Sequence, residues 1–152
     1  MADAPRAIRW TFSYVGGQVT LQAATRLAMR ALPSHDTFGY EQHAGFWIEL
    51  RDSANRVVYR RVLHSPMRHD VEVYPEAADQ QFSRSVVDEP RGSFDVVTPN
   101  LPTAKAITLY ASLPEPAPPN ETETARQARI VSSRSTPARL IAQFTLPQEE
   151  GA

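Results

Sequence analysis

The sequence predicts an all-β fold, a single antiparallel Greek-key β-sandwich of about seven or eight strands. Three observations lead to it. Apolar residues recur at every second position through most of the chain, the period at which strand side chains alternate between the two faces of a sheet. The 13 prolines and 6 glycines lie largely between these alternating runs, where they end strands and open turns. No stretch carries a helical apolar period long enough for the crossover helices that a parallel sheet needs. At 152 residues the chain suits one domain.

Ile8, Trp10, Phe12 and Tyr14 share one face of the first run, with Arg9, Thr11 and Ser13 on the other. Gly16-Gly17 turns the chain, and Val19, Leu21 and Ala23 alternate with Thr20 and Gln22 as a hairpin partner. Leu27, Met29 and Ala31 continue the alternation as far as Pro33, which predicts a long bent strand rather than a short helix. Residues 34–44 read as a loop. Phe46, Ile48 and Leu50 then alternate with Trp47, Glu49 and Arg51, and Val57 to Leu63 returns as the partner strand. The turn between them, Asp52-Ser53-Ala54-Asn55, has a side chain that can bond its own backbone and a residue tolerant of positive φ.

Val71 and Val73, then Phe82 to Val87, mark short strands, and Phe94 to Val97 runs up to Pro99. Ile107, Leu109 and Ala111 alternate with Thr108 and Tyr110 before Pro114. The main body therefore spans residues 6–113. Residues 114–127 are rich in proline and acid and too poor in apolar groups to bury anything, which predicts a mobile loop. Leu140, Ala142 and Phe144 share a face in a final strand at 138–146, followed by a tail at 147–152.

The hairpin GFWIELRDSANRVVYR, followed by FDVVTPNLP and AKAITLYA, resembles the strand layout of bacterial immunoglobulin-like and fibronectin-type-III-like modules. The layout over residues 45–113 is also similar to the β-sandwich that precedes the catalytic part of some bacterial zinc peptidases. The resemblance implies a module that binds other macromolecules or spaces out an assembly. It carries over no catalytic residue, because the zinc-peptidase motif HExxH does not occur.

Composition excludes several classes. Without cysteine there is no disulfide framework, thiol nucleophile or thiolate metal site. Sixteen basic residues against 17 acidic ones create no net field for nucleic acid or membrane. Only Lys105 is a lysine, the skew of a GC-rich coding sequence, which predicts a bacterial source. The first residues carry no apolar signal core and no window could span a membrane, which predicts a cytoplasmic protein. No phosphate-cradling glycine loop and no GxSxG elbow is present, and no cofactor is expected.

His35, His43, His64 and His69 flank loops and could converge on a metal only if two loops meet, so no metal ligand is assigned. The arginines at 126, 129, 134 and 139 oppose an acidic run from Asp70 to Asp95, a pattern that means internal or neighbour pairing before it means a partner.

A four-residue turn closed by Arg51 opposite Arg56 sets Trp47 opposite Arg60, Ile48 beside Tyr59 and Leu50 beside Val57. The apolar face turns inward, and Trp47 and Arg60 face outward. Both are residue types enriched at binding hot spots, so Trp47 and Arg60 are the candidate binding residues, unless a loop or a partner covers that face. The expected function is a non-catalytic protein–protein interaction or structural subunit, binding another protein or copies of itself. A carbohydrate-binding module, with Trp47 stacking on a sugar, is the alternative, and a small metal-dependent hydrolase comes third.

Overall fold

The computed structural model describes residues 6–67, 70–73, 83–86, 90–115 and 117–146. The strands are β1 (Ala7–Val15), β2 (Gln18–Leu27), β3 (Phe46–Arg51), β4 (Val57–Leu63), β5 (Asp70–Val73), β6 (Ser83–Val86), β7 (Arg91–Pro99), β8 (Ala106–Ala111) and β9 (Arg139–Thr145). One helix, α1 (Glu123–Ser133), lies between β8 and β9. Seven strands form two antiparallel sheets, ordered β2-β1-β7 and β4-β3-β8-β9, while β5 and β6 pair with each other. The fold is an all-β sandwich. No described helix is long and apolar enough to cross a membrane.

The core lies between the two sheets because each contributes one apolar face. Trp10, Phe12 and Tyr14 come from β1, and Phe46, Ile48, Leu50, Ile107 and Leu109 come from β3 and β8; all are buried. The rings interlock across the layers. Phe12 sits 5.3 Å from Phe94 and 5.7 Å from Phe144, and Phe46 meets Phe94 edge-on at 5.7 Å, separations at which aromatic pairs add to plain burial.

The β3–β4 turn follows its sequence chemistry. Asp52 Oδ1 accepts from the backbone N–H groups of Ala54 and Arg56, each at 2.9 Å, and Asn55 takes φ 62°. The bond from the Arg56 backbone is the largest influence holding the Asp52 carboxyl below its ordinary range. The folded state thus favours the ionised carboxylate. Its contribution is present above the ordinary carboxylate range and is lost as pH falls through the depressed value. Asp52→Asn is expected to flatten the acid limb of the stability–pH curve, measured by thermal melts. Superimposable acid limbs for variant and wild type would show that the turn carboxylate contributes nothing.

Pairing registers slip by one residue at three places among the described strands. Between β1 and β2 the slip falls at Thr11/Phe12 and leaves Gln22 unpaired. Between β3 and β4 it leaves Val58 unpaired, and between β8 and β9 it leaves Ile141 unpaired. A single-residue bulge reverses which side chains face the core. In β2 the inward residues change from Val19 and Leu21, opposite Tyr14 and Phe12, to Ala24 and Arg26, opposite Trp10 and Ile8. The expected continuation of the Val19–Leu21 face through Ala23 is therefore corrected. In β9, Ala142 and Phe144 keep the core side, but Leu140 pairs with Tyr110 on the outer face and is half exposed.

Two further expectations are corrected. The second strand ends at Leu27, and residues 28–44 run without regular structure across the rest of the molecule. The predicted loop at 114–127 gives way at Glu123 to helix α1. Thr122 caps it by accepting from the Ala125 N–H at 3.1 Å, Glu123 sits in its first turn, and Ile130 and Ser133 are its buried residues. With so few buried positions the helix has almost no apolar period to read. The cap followed by helix-forming Glu, Ala, Arg and Gln was the available signal. Its arginines pair locally, Arg126 with Glu123 and Arg129 with Glu121, and Arg139 of β9 reaches Glu115. Most of the acidic run, His69, the ends of the strand expected at Phe82–Val87 and the tail 147–152 lie outside the described residues.

Candidate functional site

The outer face of the four-stranded sheet carries the candidate residues, and its composition follows from alternation. With Phe46, Ile48 and Leu50 inward, β3 presents Trp47, Glu49 and Arg51 on the opposite side. Register then assembles two rows across the sheet. Val62, Trp47, Tyr110 and Leu140 form one, and Arg60, Glu49, Thr108 and Gln143 form the next. Trp47 therefore pairs with Val62 and not with Arg60, whose partner is Glu49. Two slips produce the difference. Arg51 pairs with Val57 rather than Arg56, and the Val58 bulge adds one more residue. Together they shift the register by an even number, so both candidate residues keep the predicted face but lose each other as direct partners.

Glu49 is the centre of the site, although the sequence reading gave it no role. Its Oε1 accepts from Arg60 Nε at 3.0 Å, from Arg60 Nη2, and from Trp47 Nε1 at 3.1 Å. Its Oε2 accepts from Arg51 Nη2 at 2.5 Å, and the same nitrogen donates to the Tyr110 hydroxyl at 3.0 Å. The Trp47 and Tyr110 rings stack at 5.5 Å. Trp47, Glu49 and Arg60 are only 3%, 2% and 5% exposed. An acid on the same strand face as a tryptophan, with arginines to either side, was the pattern that could have revealed it.

The burial comes from the segment that follows β2. Tyr40 lies over the junction of the cluster, its ring edge-on to Trp47 at 5.3 Å and its face 4.0 Å from the Arg60 guanidinium. His43 stacks on Tyr40 at 4.8 Å. The same segment closes the free edge of β4. Ser34 Oγ accepts from the Arg60 N–H at 3.0 Å, the His35 N–H donates to the Arg60 carbonyl at 2.7 Å, and His35 Nδ1 accepts from the Val62 N–H at 2.9 Å. Arg60 Nη1 donates to the Asp36 carbonyl at 2.9 Å. Side-chain and backbone groups of this segment thus satisfy part of the edge that would otherwise offer its backbone to another strand.

The Tyr59 hydroxyl donates to the Leu32 carbonyl at 2.9 Å, and burial pushes its phenol up, partly offset by Arg61. A raised folded value means a contribution present at neutral pH and lost as pH rises through it.

No family model, curated protein or solved structure matches this chain. Its chemistry is therefore read from these contacts alone. Among the described residues no three His, Asp or Glu side chains gather where a metal could bind. His35 is used on the β4 edge, His43 stacks on Tyr40, and His64 is exposed. The site can hold its cover in place by a buried ion pair and aromatic contacts.

Proposed function

We propose that the chain is a non-catalytic interaction or structural subunit of a larger bacterial assembly, cytoplasmic in location, which binds another protein or a copy of itself. The supporting observation is where apolar surface remains exposed. Four of the seven exposed large apolar side chains among the described residues, Met29, Leu32, Phe38 and Val62, lie on the cover segment or on the strand beside it. Phe38 is 82% exposed. Aromatic groups displayed on a structured surface are the usual anchors of protein interfaces. Trp47 and Arg60 serve this face from beneath. They grip Tyr40, two residues from Phe38, and so hold the displayed segment against the sheet.

An immunoglobulin-like reading of the strand layout over residues 45–113 belongs to the same proposal. The carbohydrate reading is less well supported, because Trp47 is buried, stacked on Tyr110 and met by Tyr40 edge-on, and has no free face for a sugar ring.

Phe38→Asp tests the proposal, because the side chain has almost no packing to lose. The expected result is an unchanged melting temperature with loss of the partner that co-purifies with the wild-type chain. If the partner is a second copy, light scattering should record a dimer becoming a monomer. Retention of both the partner and the oligomeric state in the variant would overturn the assignment of this face.

A further inference from the structure

We propose that the open end of the sandwich binds a small amphipathic monoanion, an acid with one carboxylate and an apolar chain or ring. A cleft of about 470 Å³ lies there, within the range of small-ligand sites. It sits where β1 begins and β9 ends. Trp10 and Ala104 form a buried floor, with Ile8, Leu101 and Leu146 on the walls.

The Gln22 bulge sets which β2 side chains line this space. Had β2 kept its initial parity, Ala23 and Thr25 would stand opposite Trp10 and Ile8, with no charge at the mouth. Past the bulge the inward positions hold Ala24, too small to fill the gap opposite Trp10, and Arg26, long and charged. A deep apolar floor is therefore left beneath a polar mouth. Two cationic side chains, Arg26 and Lys105, line the cleft, and none of the described residues that line it is acidic. Lys105 is exposed and makes no side-chain ion pair among the described residues. The Trp10 indole N–H is already donated to Thr98 Oγ1 at 2.9 Å and its ring is fully buried, so the reachable apolar surface is that of Ile8, Ala24, Leu101 and Leu146. An apolar body against these walls with its carboxylate at Lys105 satisfies both ends. A neutral molecule would leave the ammonium unanswered, and a polyanion would have no use for the apolar depth.

Titration of uniformly ¹⁵N-labelled protein with decanoate, below its micelle concentration, tests the site directly. Saturable shifts are expected at the Trp10 indole N–H and at the Ala104, Lys105 and Leu146 amides. Lys105→Gln should weaken decanoate about tenfold, the loss of one charge-assisted contact. Decanol should bind about tenfold more weakly than decanoate and be insensitive to that change. Ala24→Trp, with its melting temperature checked, should abolish the shifts by filling the cleft. Absence of saturable shifts, shifts centred elsewhere, or equal decanoate affinity in wild type and Lys105→Gln would each overturn the proposal. The cleft lies apart from Phe38, so either result leaves the interface reading to its own test.

Discussion

Glu49→Ala is expected to destabilise the fold by about 3–5 kcal/mol, the cost of leaving a buried partner charge uncompensated. Arg60 is buried, and both its Nε and Nη2 are directed at this one carboxylate. Removing the acid strands the guanidinium under Tyr40, where water cannot replace the lost bonds. In a chain of this size the melting temperature should fall by roughly 10 °C. Replacing both partners with apolar residues of similar volume, Glu49→Leu with Arg60→Met, should cost less than Glu49→Ala alone, because no charge is then left behind. A single variant that melts like wild type would mean that the carboxylate is solvated and the cover easily parted.

Trp47→Ala carries the second large effect, about 3–5 kcal/mol for deleting a fully packed indole. The ring stacks on Tyr110, receives the edge of Tyr40 and donates to Glu49, so its loss opens a cavity and removes one bond of the cluster. The damage should spread to the cover segment. Amide exchange at Arg60 and Val62, protected by Ser34 and His35, should accelerate beyond the global change in stability. Trp47→Phe, which keeps most of the ring surface, should recover most of the melting temperature. A stable Trp47→Ala protein with unchanged exchange would place Trp47 at an open surface.

Much of the fold was legible because period-two alternation is a local signal that survives wherever one strand face is buried. Ile8 to Tyr14 and Phe46 to Leu50 each led to a correct inward face, and Asp52 with Asn55 marked a turn whose bonds depend on nearby backbone. Helix α1 was missed for the opposite reason. It buries too little to carry a period, and its Thr122 cap with the helix-forming residues that follow is the only mark it leaves.

The candidate site was half legible. Its face followed from the parity of β3, but the pairing of Arg60 with Glu49 depended on Val58 bulging out of the ladder. Trp47 and Arg60 were placed on the correct side of the sheet while the groups that bury them lay in an irregular segment. Tyr40 belongs to a stretch with no period, so no rule of alternation could bring it over Arg60.

The sequence by itself determined where most of the strands run, the far end of β2 excepted, which turn joins β3 to β4 and which residues of β1, β3 and β8 enter the core. These follow from side-chain alternation and turn chemistry, both set within a few residues. The tertiary structure alone decided the bulges at Gln22, Val58 and Ile141, the burial of Trp47 beneath Tyr40 and the cleft beside Trp10. A bulge depends on the fit between two strands distant in the chain, and one inserted residue exchanges the faces of everything beyond it. Local pattern cannot register that exchange, because each strand alternates equally well in either parity.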